Sequence, residues 1–178
     1  MRSLLSIYIF FALNISAKPL NWYEYPGRWF KNIFSVPAKD SPAPEIDAED
    51  PAGNPVFLQN VEGEYILLSF WASWCPVCRK ELPELDKLSV KFSSRGIKFL
   101  AINVNDSKEK AIDYINKNKS SLIYLLDTDD RTSEKYRIIS FPSNFLIQKK
   151  GLKTVKVWEG DIEMKTIEEY LEKLPYKK

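Results

Sequence analysis

Residues 65–78 of this chain read YILLSFWASWCPVC, and this stretch decides the fold. Its first eight residues form a nearly continuous apolar run, which is typical of a central strand covered on both faces of a sheet. Cys75 and Cys78 follow at once, with Pro76 where a proline suits the first turn of a helix. Two thiols at this spacing can close a disulfide, and a helix N-terminus favours the thiolate of the first. The stretch therefore predicts a reactive dithiol.

The composition of the chain excludes several other uses of the cysteine pair. The chain has 178 residues, two cysteines and no histidine, and a chain of this length buries a core without disulfide staples. Arg79 follows Cys78, so the haem-attachment pattern CxxCH fails. A structural zinc lacks two of its four ligands, and a Cys–His catalytic pair is impossible. With 26 basic and 24 acidic residues, the charge gives no electrostatic case for a nucleic-acid partner.

Residues 1–17 are predicted to be a secretory signal peptide. Arg2 precedes an apolar run, and Ala17 offers a small residue at the cleavage position. The run is shorter than the roughly 20 apolar residues that span a bilayer, although an uncleaved membrane anchor is the alternative. We therefore expect an exported protein, periplasmic or otherwise extracytoplasmic, in a compartment where a dithiol and its disulfide are both meaningful.

Residues 18–43 are predicted to form an aromatic, proline-rich N-terminal extension ahead of a domain at 44–178. The aromatic part, 21–34, either packs on the domain or contacts a membrane surface or a partner. Prolines recur between residues 35 and 55, which predicts an extended linker rather than a helix.

From residue 55 onward, strand and helix patterns alternate. Strands are predicted at 56–59, 65–72, 97–104, 122–126, 144–148 and 154–158, the last two as a hairpin. Helices are predicted at 76–92 with a kink at Pro83, from Asp106 or Ser107 to about 118, at 130–136 and at 163–174. This order predicts an α/β sandwich around a mixed sheet, with the cysteines at the carboxyl end of a central strand, where such sheets place their sites.

The motif at 70–83, FWASWCPVCRKELP, is accompanied by FPSNFLI at 141–147, KG at 150–151 and WEG at 158–160. With these motifs the chain resembles the thioredoxin superfamily, and more narrowly the exported TlpA/ResA-type thiol–disulfide oxidoreductases. The resemblance covers about residues 44–174. It implies a thioredoxin-like three-layer sandwich, a mixed sheet with helices on both faces, and no cofactor or metal.

The resemblance also implies catalytic roles for three residues. Cys75 is the attacking sulfur and Cys78 the resolving one, and together they form the redox disulfide. Glu81 matches an acidic residue that approaches the cysteines and influences their proton transfer; a solvated surface glutamate is the alternative.

The expected substrate-binding residues surround the cysteine pair. Phe141 and Pro142 match the position of the family's cis-proline, which binds substrate backbone beside the dithiol. Trp74, Pro76 and Val77 are the other expected substrate contacts.

Three parts of the sequence depart from the family pattern. Ser69 stands where cytoplasmic thioredoxins carry a buried aspartate, Ser143 and Asn144 replace the usual threonines after the proline, and Pro-Val replaces Gly-Pro or Glu-Pro between the cysteines. The Pro-Val pair tunes the reduction potential, and Ser69 fits the exported branch.

The expected function is reduction of disulfides in specific extracytoplasmic proteins, such as apocytochrome c or an assembly factor, with electrons from a membrane thiol carrier. A disulfide oxidant or isomerase is an alternative, because direction follows potential and not motif. A peroxiredoxin-like peroxidase is disfavoured by the adjacent Cys78. A thioredoxin-fold metal-delivery protein lacks its distal histidine, and a non-enzymatic binding scaffold has no use for an oxidation-prone dithiol.

Overall fold

The structure is a computed structural model that describes residues 36–175. The strands in this range are β1 (Ala48–Glu49), β2 (Pro55–Val56), β3 (Tyr65–Trp71), β4 (Ile97–Asn103), β5 (Ile123–Leu126), β6 (Ser143–Gln148) and β7 (Lys153–Glu159). The α-helices are α1 (Pro76–Phe92), α2 (Lys108–Lys117), α3 (Arg131–Tyr136) and α4 (Met164–Glu172). The predicted signal peptide at 1–17 and the aromatic segment at 21–34 lie outside the described residues.

The strands form one mixed sheet in the order β2-β1-β5-β4-β3-β6-β7. β3, β4 and β5 are parallel neighbours, whereas β6, β7, β1 and β2 join antiparallel. The crossovers from β3 to β4 and from β4 to β5 move in the same direction across the sheet. Because such crossovers are right-handed, α1 and α2 lie on the same face.

β3 is the central strand, and all seven of its residues are buried. Alternate side chains point to opposite faces, so the strand feeds two apolar clusters. Leu67 and Trp71 pack with residues of α1 and α4, and Tyr114 of α2 packs against the same cluster. Leu68 packs on the other face with Tyr136 of α3. The predicted α/β sandwich with helices on both faces is confirmed.

α1 has the predicted bounds and carries the cysteines at its start. Pro76 occupies its first turn, where the missing N–H group costs no intrahelical bond. The apolar stripe that contains Leu82, Leu85 and Phe92 is buried against the sheet. The helix continues through Pro83, which lies on its exposed side.

Part of the predicted strand at 56–59 is wrong. β2 ends at Val56, and Leu58–Asn60 forms a 3₁₀ turn instead. The reason is tertiary: the Lys149 ammonium donates hydrogen bonds to the backbone carbonyl oxygens of Leu58, Gln59 and Val61 at 3.1, 2.5 and 2.6 Å. Three carbonyl groups converging on one cation favour a turn over a ladder.

The proline-rich segment from residue 36 to 55 contains no helix, as predicted, but it includes the short strand β1, which the sequence did not predict. Pro42 forms an isolated bridge with Lys153, and Ile46 is fully buried. The domain start at residue 44 stays a prediction. Within residues 36–175, the helices are all too short or too polar to cross a membrane.

The aromatic cluster behind β3 gives a stability prediction. Phe145 is fully buried, with its ring centroid 5.6 Å from that of Phe70 and 5.0 Å from that of Tyr136. We expect Phe145→Ala to lower the free energy of unfolding by about 3–5 kcal/mol, measured by urea denaturation of the oxidised protein. Phe57→Ala is the matched control, because Phe57 is 42% exposed. Equal losses in the two variants would contradict the assignment of the core.

Candidate active site

Cys75 and Cys78 are joined by a disulfide at the start of α1, at the carboxyl end of β3. Cys75 is the N-cap residue, and its Sγ accepts a hydrogen bond from the Cys78 backbone N–H at 3.1 Å. This N–H has no helical partner at that position, so it is free to stabilise charge on the Cys75 sulfur. Cys75 is 4% exposed and Cys78 is 1% exposed, so the first cysteine is the more accessible.

Two aromatic side chains, Trp74 and Phe141, and a cis-proline lie beside the disulfide. The peptide bond between Phe141 and Pro142 is cis, as the resemblance implies. Phe141 packs edge-on against Trp74, with ring centroids 5.5 Å apart, and Trp74 is 57% exposed. The Pro142 carbonyl oxygen accepts a hydrogen bond from the Gly160 N–H at 2.8 Å, which ties this loop to the end of β7.

The two residues between the cysteines differ in exposure. Pro76 is exposed, whereas Val77 is half-buried and packs against the same apolar cluster as the cysteines. Pro76 and Trp74 therefore give the surface around the disulfide its apolar character.

Glu81 is a buried carboxyl group rather than a surface one. It lies three residues after Cys78 in α1, a spacing that places side chains on the same side of a helix. The residue is 5% exposed, and neither carboxylate oxygen has a hydrogen-bond partner among the described residues. Burial raises the pKa of Glu81 to about 7, and the charge of Asp161 adds to the rise. The Ile162 backbone N–H, which lies near the carboxylate but outside hydrogen-bonding geometry, and the charge of Lys80 oppose it.

Two buried polar residues lie under the site at the centre of the sheet. Ser69 of β3 pairs in register with Asn144 of β6, and they are 4% and 0% exposed. By strand alternation they face the same side as Trp71 and the cysteines. The Asn144 side-chain amide has no hydrogen-bond partner within residues 36–175. Two polar side chains are thus buried beneath the dithiol in an otherwise apolar part of the sheet.

Sequence reasoning missed the contribution of the loop that follows β4. Asp106 was expected as one of two candidate caps of α2, but the cap is Ser107. The Asp106 carboxylate instead accepts hydrogen bonds from the Ser73 backbone and side chain and from the Asn103 side chain. The available signal was topological: the carboxyl ends of neighbouring parallel strands converge, so residues after β4 lie beside those after β3.

Comparison with known proteins agrees with this geometry. The AhpC/TSA family model matches residues 40–155. The chain belongs to this family.

The curated proteins similar to this AhpC/TSA member include thiol–disulfide oxidoreductases. It is 31% identical over 134 residues to thiol-disulfide oxidoreductase ResA of Bacillus subtilis (strain 168), which covers 75% of this chain and 74% of the relative. It is 34% identical over 122 residues to sporulation thiol-disulfide oxidoreductase A of the same organism, covering 61% of this chain and 74% of the relative.

A solved structure gives the same result for this AhpC/TSA member. The thioredoxin domain of a thiol-disulfide oxidoreductase from Bacteroides vulgatus is 33% identical, with a TM-score of 0.64 over 75% of this chain and 97% of that one. The predicted thioredoxin-like fold, the resemblance to the ResA type and the enzyme class, a thiol–disulfide oxidoreductase, are therefore confirmed.

The buried Glu81 predicts a pH-dependent stability. Its pKa in the folded chain, about 7, exceeds the ordinary value of 4.5, so the folded state binds the proton more tightly. This stabilisation is fully present below the ordinary pKa and is lost as the pH rises through about 7. Relative to a Glu81→Gln variant, the wild-type free energy of unfolding should fall by up to about 3 kcal/mol between about pH 4 and pH 8.

The measurement is urea denaturation of the oxidised protein, in which the cysteines do not titrate. Glu84→Gln is the matched control, because Glu84 lies on the same helix with a side chain 49% exposed. The Glu84 variant should follow the wild-type pH profile. Parallel profiles for wild type and the Glu81 variant would refute the assignment.

Proposed function

We propose that this protein is an exported reductase that acts on disulfides of specific extracytoplasmic proteins through Cys75 and Cys78. The observation that carries the proposal is the cysteine pair at a helix N-terminus, with a backbone N–H aimed at the Cys75 sulfur. The cis-proline loop and Trp74 beside it support the placement of a substrate there.

In the first step the Cys75 thiolate attacks one sulfur of a substrate disulfide. A mixed disulfide forms between Cys75 and that sulfur, and the second substrate sulfur leaves as a thiolate and takes a proton from solvent. The Cys78 N–H and the positive end of α1 lower the cost of the attacking thiolate. Trp74, Phe141 and Pro142 hold the substrate segment that flanks its cysteine.

In the second step Cys78 loses its proton and attacks the Cys75 sulfur. The bond between Cys75 and the attacked substrate sulfur breaks, and that sulfur leaves as a thiolate and takes a proton from solvent. The enzyme is left with the Cys75–Cys78 disulfide. Two electrons have passed from the dithiol to the substrate. Glu81 accepts the Cys78 proton, because a carboxyl group with a pKa of about 7 can both take and return a proton near neutral pH.

The partners of this reaction are proposed from the family resemblance. Substrates are disulfides of exported proteins, with apocytochrome c cysteines or an assembly factor as the leading example. A membrane thiol carrier returns electrons to the oxidised enzyme. The signal peptide predicted at 1–17 supports a location of the reaction outside the cytoplasm.

The cysteine roles predict different outcomes for two serine variants. Cys75→Ser should reduce a protein disulfide such as insulin at less than about 1% of the wild-type rate, because the nucleophile is gone. Cys78→Ser should accumulate a mixed disulfide through Cys75, visible on a non-reducing gel and by mass spectrometry, because nothing resolves it. Two outcomes would reject the assigned roles: wild-type turnover by Cys75→Ser, or a mixed disulfide that accumulates through Cys78 in Cys75→Ser while none forms in Cys78→Ser.

The direction of electron flow is decided by the reduction potential. We expect a potential clearly below about −200 mV, measured in glutathione buffers from the fluorescence of the tryptophans near the disulfide. A potential near −120 mV would make the protein an oxidant and reverse the proposed direction. Trp71 is the last residue of β3 and Trp74 directly precedes Cys75, so their emission should change with the redox state of the disulfide.

A further inference from the structure

The loop after β4 holds the turn that carries the nucleophile. Asp106 Oδ2 accepts hydrogen bonds from the Ser73 backbone N–H at 2.6 Å and from Asn103 Nδ2 at 2.8 Å, and Oδ1 accepts one from Ser73 Oγ at 2.7 Å. One carboxylate thus accepts hydrogen bonds from both donors of Ser73, the residue two positions before Cys75. Charge-assisted hydrogen bonds of this kind are stronger than neutral ones.

The same loop also fixes the exposed aromatic side chain of the site. Trp74 Nε1 donates to the Asn105 carbonyl oxygen at 3.2 Å, and Asn105 adopts a left-handed backbone with a φ of 56°. The Trp74 ring in turn packs against Phe141, the residue that precedes the cis-proline. A continuous set of contacts therefore runs from the β4 loop to the cis-proline loop.

We propose that Asp106 is a positioning residue of the redox site. It holds the Ser73–Cys75 turn, and with it the Trp74 side chain, in the arrangement from which the Cys75 sulfur attacks a substrate disulfide. α2 does not need this carboxylate, because its N-cap is Ser107, whose hydroxyl oxygen accepts the Lys110 N–H. The two hydrogen bonds from Ser73 therefore act on the turn before the dithiol, and the bond from Asn103 orients the carboxylate. The inference rests on the proposed role of Cys75 as the nucleophile.

The Asp106 clamp, which is the set of hydrogen bonds that Asp106 accepts from Ser73 and Asn103, matters most in the reduced enzyme. In the oxidised form the disulfide itself ties Cys75 to Cys78. Once it is reduced, the turn is held by hydrogen bonds: the Cys75 N–H to the Ala72 carbonyl oxygen at 3.1 Å and the Ser73 bonds to Asp106. The reduced form is the one that attacks substrate. Loss of the Asp106 hydrogen bonds should therefore lower the rate of that attack.

The test compares two substitutions at the same position in the full chain. Asp106→Asn keeps all three hydrogen bonds, because the amide oxygen can replace Oδ2 and the amide NH₂ can donate to Ser73 Oγ, which accepts as well as donates. Asp106→Ala removes all three. Ser73→Ala removes only the Oγ bond, and Asp50→Ala is a remote control that removes a carboxylate accepting two bonds from Asn54.

Two readouts are measured on each variant: the second-order rate of insulin reduction, and the rate of Cys75 alkylation by iodoacetamide as a function of pH. We expect Asp106→Ala to reduce insulin about tenfold more slowly, since misplacement of a reacting group costs rates of this order. The pH midpoint of its Cys75 alkylation rate should also differ from that of the wild type. Asp106→Asn and Asp50→Ala should stay within about twofold of wild type, and Ser73→Ala should fall between.

Other outcomes overturn the proposal. If Asp106→Asn and Asp106→Ala are equally impaired, the carboxylate acts through its charge and not by positioning. If Asp106→Ala retains the wild-type rate and alkylation profile, the clamp has no role in the reaction. If Asp106→Ala does not fold, Ser73→Ala decides, and wild-type values in that variant reject the idea. If the wild type itself does not reduce insulin, the proposed function fails, and the alkylation profiles alone decide the role of Asp106.

Discussion

The capping of a helix by a sulfur atom is the interaction on which the site depends. Cys75 takes the N-cap position of α1, and its sulfur accepts the Cys78 N–H that the helix leaves without a partner. The helix begins at this point because β3, whose residues are all buried, ends directly before it at the carboxyl end of the sheet's central strand. The apolar strand therefore fixes where the dithiol lies, and the helix terminus fixes which sulfur is stabilised as a thiolate.

The elements with long, regular signals were predictable from the sequence. β3 and α1 were predicted with nearly correct ends, because a continuous apolar run and a proline-started helix with an apolar stripe each carry a signal over several residues. β1 and the 3₁₀ turn at Leu58–Asn60 were not, because contacts remote in sequence determine them. β1 has only two residues, too few to show the alternating apolar pattern of a strand. The Lys149 ammonium that holds the 3₁₀ turn lies about 90 residues away in sequence.

The candidate site divides in the same way. The cysteines, Trp74 and Pro142 could be singled out from the sequence because each lies in a local motif, at 70–83 or at 141–147. Asp106 was missed because its relation to Ser73 exists only across two neighbouring strands. The burial of Glu81 also depends on tertiary structure, because α1 alone does not reveal that the Asp161–Ile162 loop lies over that side chain.

Different roles are proposed for the two acidic residues because their surroundings differ. Glu81 is buried and neither of its oxygens has a partner among the described residues, so its charged form is disfavoured and it gains a proton near neutral pH. Asp106 receives three hydrogen bonds, which fix its orientation and, through Ser73, the turn before Cys75. A carboxyl group without hydrogen-bond partners suits proton transfer, whereas one that accepts three hydrogen bonds suits positioning, so the proposed mechanism gives proton transfer and positioning to separate residues.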